Sequence, residues 1–274
     1  MSIPEGSFVD IGDGQRIHFH EAGKGPPVVF VHGSGPGASG YSNFKGNYEA
    51  FAAGGFRVLV PDTLGYGYSS KPDTAYTLDF LVDGLRRFCD AVGAERIRLV
   101  GNSLGGAMCI RFATRWPDRV DRLVLMAPGG LEDRQTYMGM KGIVTMMTPL
   151  FTGEGITPEG IRRTFRLQLY NPDDITEATL AERWEIAKDQ PLYVFKSLRV
   201  DDLRPELDRI QCPVYVLWGR DDQFCPVSGA TTLLHGVEDA RVLMLTRCGH
   251  WVMVEYPELF NRSCVDFLRE GQVA

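Results

Sequence analysis

The residues Gly101-Asn102-Ser103-Leu104-Gly105 lie between an apolar run, Ile97 to Val100, and a small-residue stretch with helical spacing that opens at Gly106. A strand entering a helix through so short a turn folds its backbone back on itself, and only residues without bulk fit two places either side of the apex. Glycines at 101 and 105 meet that demand and make Ser103 the apex. The hydroxyl of such a serine stands clear of the sheet at a helix N-terminus, where free N–H groups and the positive end of the helix dipole favour an anion. Taken alone, G-x-S-x-G recurs by chance, and a plain serine in a glycine-rich loop explains it equally well.

The rest of the chain supplies more strands and helices in alternation. Val29 to His32, Val58 to Val60, Ile97 to Val100, Leu123 to Met126, Val214 to Trp218 and Val242 to Leu245 are short apolar runs of the kind that strands buried on both faces produce. Helical spacing runs from Leu78 to Val92 and from Ala107 to Trp116, and Pro257 opens a last helix through Phe260, Val265 and Leu268. Such alternation implies right-handed crossovers and an α/β layer fold with a mostly parallel sheet. Ser7 to Ile11 and Arg16 to Glu21, joined by Gly12-Asp13-Gly14, read as an antiparallel hairpin on the sheet edge. The rhythm breaks between about Leu131 and Leu207, where the sequence turns helical and methionine-rich. That predicts a helical cap over residues 131–204, inserted into a core made of 1–130 and 205–274. Met138, Met140, Met146 and Met147 either line the inner surface of this cap or fill plain core.

With 274 residues, 44% hydrophobic and 23% charged, the chain can build one large core plus an insertion. A formal charge of -6, without any long basic run, argues against nucleic acid or an anionic membrane surface as partner and favours a small organic molecule. No apolar stretch approaches the ~18 residues of a membrane helix, and Met1 to Gly6 lacks the basic and apolar parts of a secretion leader, so a cytoplasmic protein is expected. The six cysteines, at 89, 109, 212, 225, 248 and 264, show neither C-x-x-C nor metal-ligand spacing and read as reduced packing residues. Cys225 and Cys248 stand near candidate catalytic residues and are the two that could react instead. No phosphate-binding glycine loop follows the first parallel strand, so neither cofactor nor metal is expected.

A serine hydroxyl is too weakly acidic to attack alone, so a base must take its proton and a third group must hold that base in the useful tautomer. Of the five histidines, His18 and His20 alternate along an edge strand and His235 sits in a surface segment, which suits structural roles. His250 follows a strand through Cys248-Gly249, precedes Trp251, and leads into the last helix at the sheet end where crossover loops gather. The acid is expected after the strand Val214 to Trp218, where Asp221 and Asp222 compete. Neighbouring residues of an extended segment point opposite ways, so one of them faces the histidine, and spacing leaves the choice open. Finally, His32-Gly33-Ser34-Gly35-Pro36-Gly37 lets the backbone approach a ligand closely. The N–H groups of Ser34 and Leu104 are expected to form an oxyanion hole, whose donors are each worth ~3 kcal/mol of barrier.

These segments together resemble the α/β-hydrolase superfamily and, more narrowly, the meta-cleavage product hydrolases, which split carbon-carbon bonds in ring-opened aromatic compounds. HGSGPGASGYSN from His32 to Asn43 is similar to that family's oxyanion segment, GNSLGG from Gly101 to its elbow, and WGRDDQFCP from Trp218 to its acid loop. Gly249-His250-Trp251 resembles its base segment, and Glu182-Arg183-Trp184 its substrate-binding arginine motif. The resemblance selects Asp222 as the acid and implies a triad of Ser103, Asp222 and His250. It further implies that Arg183 holds the carboxylate and 2-oxo end of a 2-hydroxy-6-oxo-dienoate, with Asn43, Asn102, Trp251 and Gly33 beside it, and that the chain forms a homo-oligomer. Two departures bear on pocket shape: Leu104 stands where methionine or phenylalanine is common, and Val252-Met253-Val254 replaces a stretch that often carries another tryptophan. They leave open whether an aryl or a small alkyl acyl group is accepted.

An esterase or lactonase is the main rival, because the same machinery hydrolyses esters without an arginine clamp. A ligand-sensing receptor with a retained triad has no feature in its favour, and dehalogenases and epoxide hydrolases place an aspartate where Ser103 stands. Activity is expected to fall as His250 becomes protonated, below about pH 6 to 7.

Overall fold

The computed structural model describes residues 5–270, and the leader reading at residues 1–4 lies outside them. Eight strands form one sheet: β1 (Ser7–Asp10), β2 (Arg16–Ala22), β3 (Pro27–Val31), β4 (Arg57–Pro61), β5 (Ile97–Asn102), β6 (Val120–Met126), β7 (Val214–Gly219) and β8 (Ala240–Leu245). Their order is β1-β2-β4-β3-β5-β6-β7-β8, with β1 and β2 antiparallel to their neighbours and all other pairs parallel. This is the α/β-hydrolase fold. The hairpin turn is made by Gly12, Asp13 and Gly14, whose φ values of 88°, 54° and 68° fall where glycine and aspartate are tolerated.

Alternation along the central strands divides the interior in two. Val29, Val31, Leu99, Leu123 and Leu125 point to one face, under helices Leu78–Ala91, Leu104–Arg115 and Ser228–Gly236. Val28, Phe30, Val58, Val100 and Val124 point to the other, under helices Tyr48–Ala53 and Pro257–Arg269. Phe30 meets Phe44 and Phe51 at ring-centroid distances of 4.9 and 4.8 Å, and truncating it to alanine is expected to cost about 3–5 kcal/mol. One strand departs from expectation. β8 is not buried on both faces: Met244 is 43% exposed. It pairs only with β7, and as the sheet edge it lacks a second neighbour to cover it.

Between β6 and β7 the ordered elements are helical: Arg134–Gly139, Lys141–Thr152, Pro158–Phe165, Glu177–Ala187 and Leu192–Ser197, with a short 3-10 turn at Pro172–Asp174 and another at Arg204–Arg209. Asp133, Thr157 and Thr176 cap three of these helices through their side chains. Gln190 fastens the insertion to the core. Its Oε1 accepts from Gly37 N at 2.9 Å and its Nε2 donates to Gly65 O at 3.0 Å, so it grips the loops that follow β3 and β4. The backbone of Gly37 lies against the carbonyl of Arg183, a contact that leaves no room for a Cβ. The insertion therefore roofs the C-terminal ends of the central strands. Of the four methionines considered above, Met146 faces inward and Met138 is half exposed.

Candidate active site

β5 carries its chain straight into the helix Leu104–Arg115 through Ser103, whose φ and ψ are 55° and −116°. A residue other than glycine held there costs of order 1–3 kcal/mol and persists only when its surroundings over-determine it. They do. Ser103 N donates to Met126 O at 2.9 Å, while its carbonyl accepts from Ala107 and Gly129, each at 3.0 Å. A Cβ at Gly101 would stand 2.6 Å from Gly105 O, and one at Gly105 would strike the carbonyl of Val31. Both flanking glycines are thus required by backbone contact.

The loop after β7 sends its two aspartates apart. Asp221 accepts from Arg247 N at 2.9 Å. Asp222 is buried, and its Oδ1 accepts from Phe224 N and Cys225 N at 2.7 and 3.0 Å. Its Oδ2 meets His250 Nδ1 at 2.7 Å. A carboxylate on Nδ1 fixes the proton there and leaves Nε2 as the free, basic nitrogen. The imidazole is held flat on the ring of Phe224, centroids 5.0 Å apart, and its backbone N–H donates to Gln168 O at 2.7 Å. Ser103 and His250 both open on one cavity beneath the helical insertion. Among the described residues no hydrogen bond joins Ser103 Oγ to His250; such contacts are often loose before a substrate is bound.

The loop after β3 closes the cavity from the other side. His32 is fully buried, and desolvation pulls its pKa down to about 4, so the ring is neutral at physiological pH. Nε2 accepts from Thr63 N at 3.0 Å, which makes Nδ1 the donor to Gly33 O at 2.7 Å. That bond pins the loop beside the serine turn. A Cβ at Gly33 would lie 3.2 Å from both Asn102 Oδ1 and Ser103 Cβ, so glycine lets the two segments close up. Ser34 lines the cavity, and Leu104 is the first residue of the helix. Among the described residues neither N–H donates to a protein acceptor.

Arg183, from helix Glu177–Ala187, is 2% exposed and has no carboxylate partner among the described residues. The neighbouring Glu182 turns away to Lys45 at 2.5 Å. The guanidinium donates to Asn43 Oδ1 at 2.7 Å and lies 5.1 and 5.3 Å from the ring centres of Phe165 and Trp251. Burial draws its pKa down to about 10, which leaves it charged at neutral pH, and among the described residues its Nε has no partner. Asn102 is tied through Nδ2 to Met126 O at 3.3 Å, with Oδ1 unpartnered. A buried, unneutralised cation beside two aromatic faces is a costly arrangement unless an anion completes it.

Several wall residues had no sequence motif to announce them. Ile161, Thr164, Phe165 and Gln168 all reach the cavity. The first three share one face of helix Pro158–Phe165 and Gln168 follows in the turn after it, a signal present in the sequence but indistinguishable there from ordinary core. Glu255 was also unannounced. Its Oε1 accepts from Tyr170 N and its Oε2 from Gly249 N, both at 2.6 Å, so one carboxylate ties the insertion to the loop that carries His250. The six cysteines are buried free thiols, and desolvation holds Cys225 and Cys248 above the ordinary thiol range, which removes them as nucleophiles at neutral pH. Among the described residues no group of three His, Cys, Asp or Glu side chains gathers as a metal site, and no helix is long and apolar enough to cross a membrane.

A roofed parallel sheet that delivers a strained serine beside a carboxylate-held imidazole is the ground plan of the α/β hydrolases, and the family model described as alpha/beta hydrolase fold matches residues 26–257. Within that class the chain belongs to the meta-cleavage product hydrolase family, enzymes that act on 2-hydroxy-6-oxo-dienoates. It is 37% identical to a 2-hydroxy-6-oxo-6-phenylhexa-2,4-dienoate hydrolase of Comamonas testosteroni, over 93% of this chain and 91% of the relative. It is 36% identical to a 2-hydroxy-6-oxononadienedioate/2-hydroxy-6-oxononatrienedioate hydrolase of Paraburkholderia xenovorans, over 94% of this chain and 92% of that one. Among solved structures it superposes on the meta-cleavage product hydrolase of Pseudomonas fluorescens with a TM-score of 0.87 and 28% identity, covering 97% of this chain and 98% of the other.

Proposed function

We propose that the protein hydrolyses the carbon-carbon bond beside the 6-oxo group of a 2-hydroxy-6-oxo-dienoate, with Ser103, His250 and Asp222 as its catalytic triad. His250 Nε2 takes the proton of the attacking oxygen, Asp222 steadies the imidazolium that forms, and the N–H groups of Ser34 and Leu104 receive the oxyanion at C6. The electron pair of the breaking C5–C6 bond needs a sink. After ketonisation places a proton on C5, that sink is the conjugated system ending in the 2-oxo group and carboxylate, which Arg183 and Asn43 hold with Trp251 and Asn102 alongside. Water supplies the hydroxyl of the released acid.

The observation that carries this reading is Arg183: a buried cation without a counter-ion among the described residues, opening on the same cavity as Ser103 and His250. A simple esterase has no use for it. Arg183→Ala is therefore expected to cripple dienoate turnover while sparing a small aryl ester, and equal losses on both would favour a carboxylesterase or lactonase instead. The same reading treats residues 131–204 as a lid over the core. It also places the enzyme in the cytoplasm, in keeping with six unpaired buried thiols, and as a homo-oligomer, for which light scattering is the check.

A further inference from the structure

Among the described residues lining the cavity, Arg183 and His250 are the two that can carry positive charge. His250 must be neutral to serve as base, and its Nδ1 is committed to Asp222. If the dienoate carboxylate lies on Arg183 and Asn43 and the C6 carbonyl stands at Ser103, the group attached to C6 is left with the remaining wall. That wall includes Ile143 and Met146 of helix Lys141–Thr152 and Phe224 of the acid loop. Helix and loop are locked together, for Gly142 N donates to Gln223 O at 2.8 Å and a Cβ at Gly142 would stand 2.7 Å from the Phe224 ring. Met146 Sδ reaches to within 3.9 Å of the Cβ position of Gly35, so the wall runs on to the loop that carries the Ser34 N–H. Asn102 Oδ1 and Gln168 Oε1, unpartnered among the described residues, are acceptors that a second anion could not use.

We propose that this enzyme selects dienoates whose C6 substituent is uncharged, through the apolar surface of Ile143, Met146 and Phe224. The proposal rests on the reading above that Arg183 holds the dienoate carboxylate. It matters because the relatives divide on this point: the Comamonas enzyme is named for a 6-phenyl substrate and the Paraburkholderia enzyme for dioates with a second carboxylate. Seated against Ile143, Met146 and Phe224, that second carboxylate would lose its water and gain no cation.

The test compares kcat/KM of the wild-type enzyme on 2-hydroxy-6-oxo-6-phenylhexa-2,4-dienoate and on 2-hydroxy-6-oxononadienedioate, followed by loss of the dienolate absorbance. A preference of at least about 100-fold for the phenyl compound is expected. Met146→Arg should raise kcat/KM on the dioate about tenfold while lowering it on the phenyl substrate. Ile143→Lys gives the same reading if the first variant fails to fold by circular dichroism. Dioate turnover equal to or faster than phenyl turnover overturns the proposal alone, as does a failure of both folded variants to shift the ratio. Turnover of neither dienoate, with aryl ester hydrolysis intact, overturns the parent reading and this one with it.

Discussion

The molecule holds two buried aspartate–histidine pairs, and they differ in what the second ring nitrogen faces. His250 and Asp222 meet at 2.7 Å, His18 and Asp62 at 2.9 Å, and both histidines are all but inaccessible. By distance and burial they are near twins. Around His18, however, Phe8, His20 and Tyr68 pack at centroid distances of 5.0 to 5.1 Å, and a Cβ at Gly6 would collide with Nε2. Asp62 also accepts from Gly40 N at 2.7 Å and Tyr68 N at 2.9 Å, so it staples the loops after β3 and β4. His250 instead has its free nitrogen on a cavity shared with a strained serine. An imidazole on a carboxylate is a common structural joint; an open face beside a nucleophile is what turns it to chemistry.

The contrast is broken or sharpened first by parallel substitutions. Asp222→Asn and His250→Ala should each lower kcat of the folded fraction by about 10⁴-fold, Asp222→Asn with a stability loss like that of Asp62→Asn, since Asp222 also holds two N–H groups and an imidazole. Asp62→Asn should leave kcat of the folded fraction within about twofold and cost about 2–4 kcal/mol in urea unfolding, since one carboxylate oxygen becomes an NH₂ group and either Gly40 N, or Tyr68 N together with the His18 ring, loses its acceptor. Comparable kcat losses at both pairs would erase the distinction. Next in size, Arg183→Ala should reduce dienoate kcat/KM about 100-fold and aryl ester kcat/KM less than about threefold. Glu255→Gln replaces a double acceptor by a group with one, and should lower kcat about tenfold with KM nearly unchanged, because the base and the insertion lose their shared anchor. A matching change at KM alone would mean that Glu255 shapes the pocket and not the base.

The smallest effect concerns pH. His32 is neutral in the fold, its pKa drawn down by burial to about 4 from the ordinary 6.5. Between those values the unfolded chain binds a proton that the folded one does not, so this contribution to stability is complete above about pH 6.5 and falls as the pH drops toward 4. The loss is of order 3 kcal/mol at the lower end. His32→Gln should be less stable at pH 7 and show a shallower acid slope in urea titrations; an unchanged slope would mean that the imidazole is not the group responsible.

Much of this was legible from residue order alone, for identifiable reasons. Strands β3 to β7 carry short apolar runs because both faces of those runs are covered, and the serine turn announces itself through glycines that backbone contact demands. The choice between Asp221 and Asp222 was not legible from spacing, since it depends on which way a loop leaves the strand, and only family resemblance pointed to the second. His18 and Asp62 lie 44 residues apart and meet through sheet pairing, which no local pattern encodes. β8 misled because its apolar residues are those of a buried strand while its place is the sheet edge. Within the insertion, four methionines looked alike and one reaches the cavity, because helix bounds set by Met140 and Gly153 decide which side faces in.

The central claim is that Ser103 is a nucleophile driven by His250 and indifferent to His18. Labelling with a fluorophosphonate, followed by peptide mass mapping, reads this directly. The account predicts one phosphonylated site, Ser103, with a labelling rate that falls at least about 100-fold in His250→Ala and is unchanged in folded His18→Ala. Modification at another residue, or equal rates in the two variants, would contradict it.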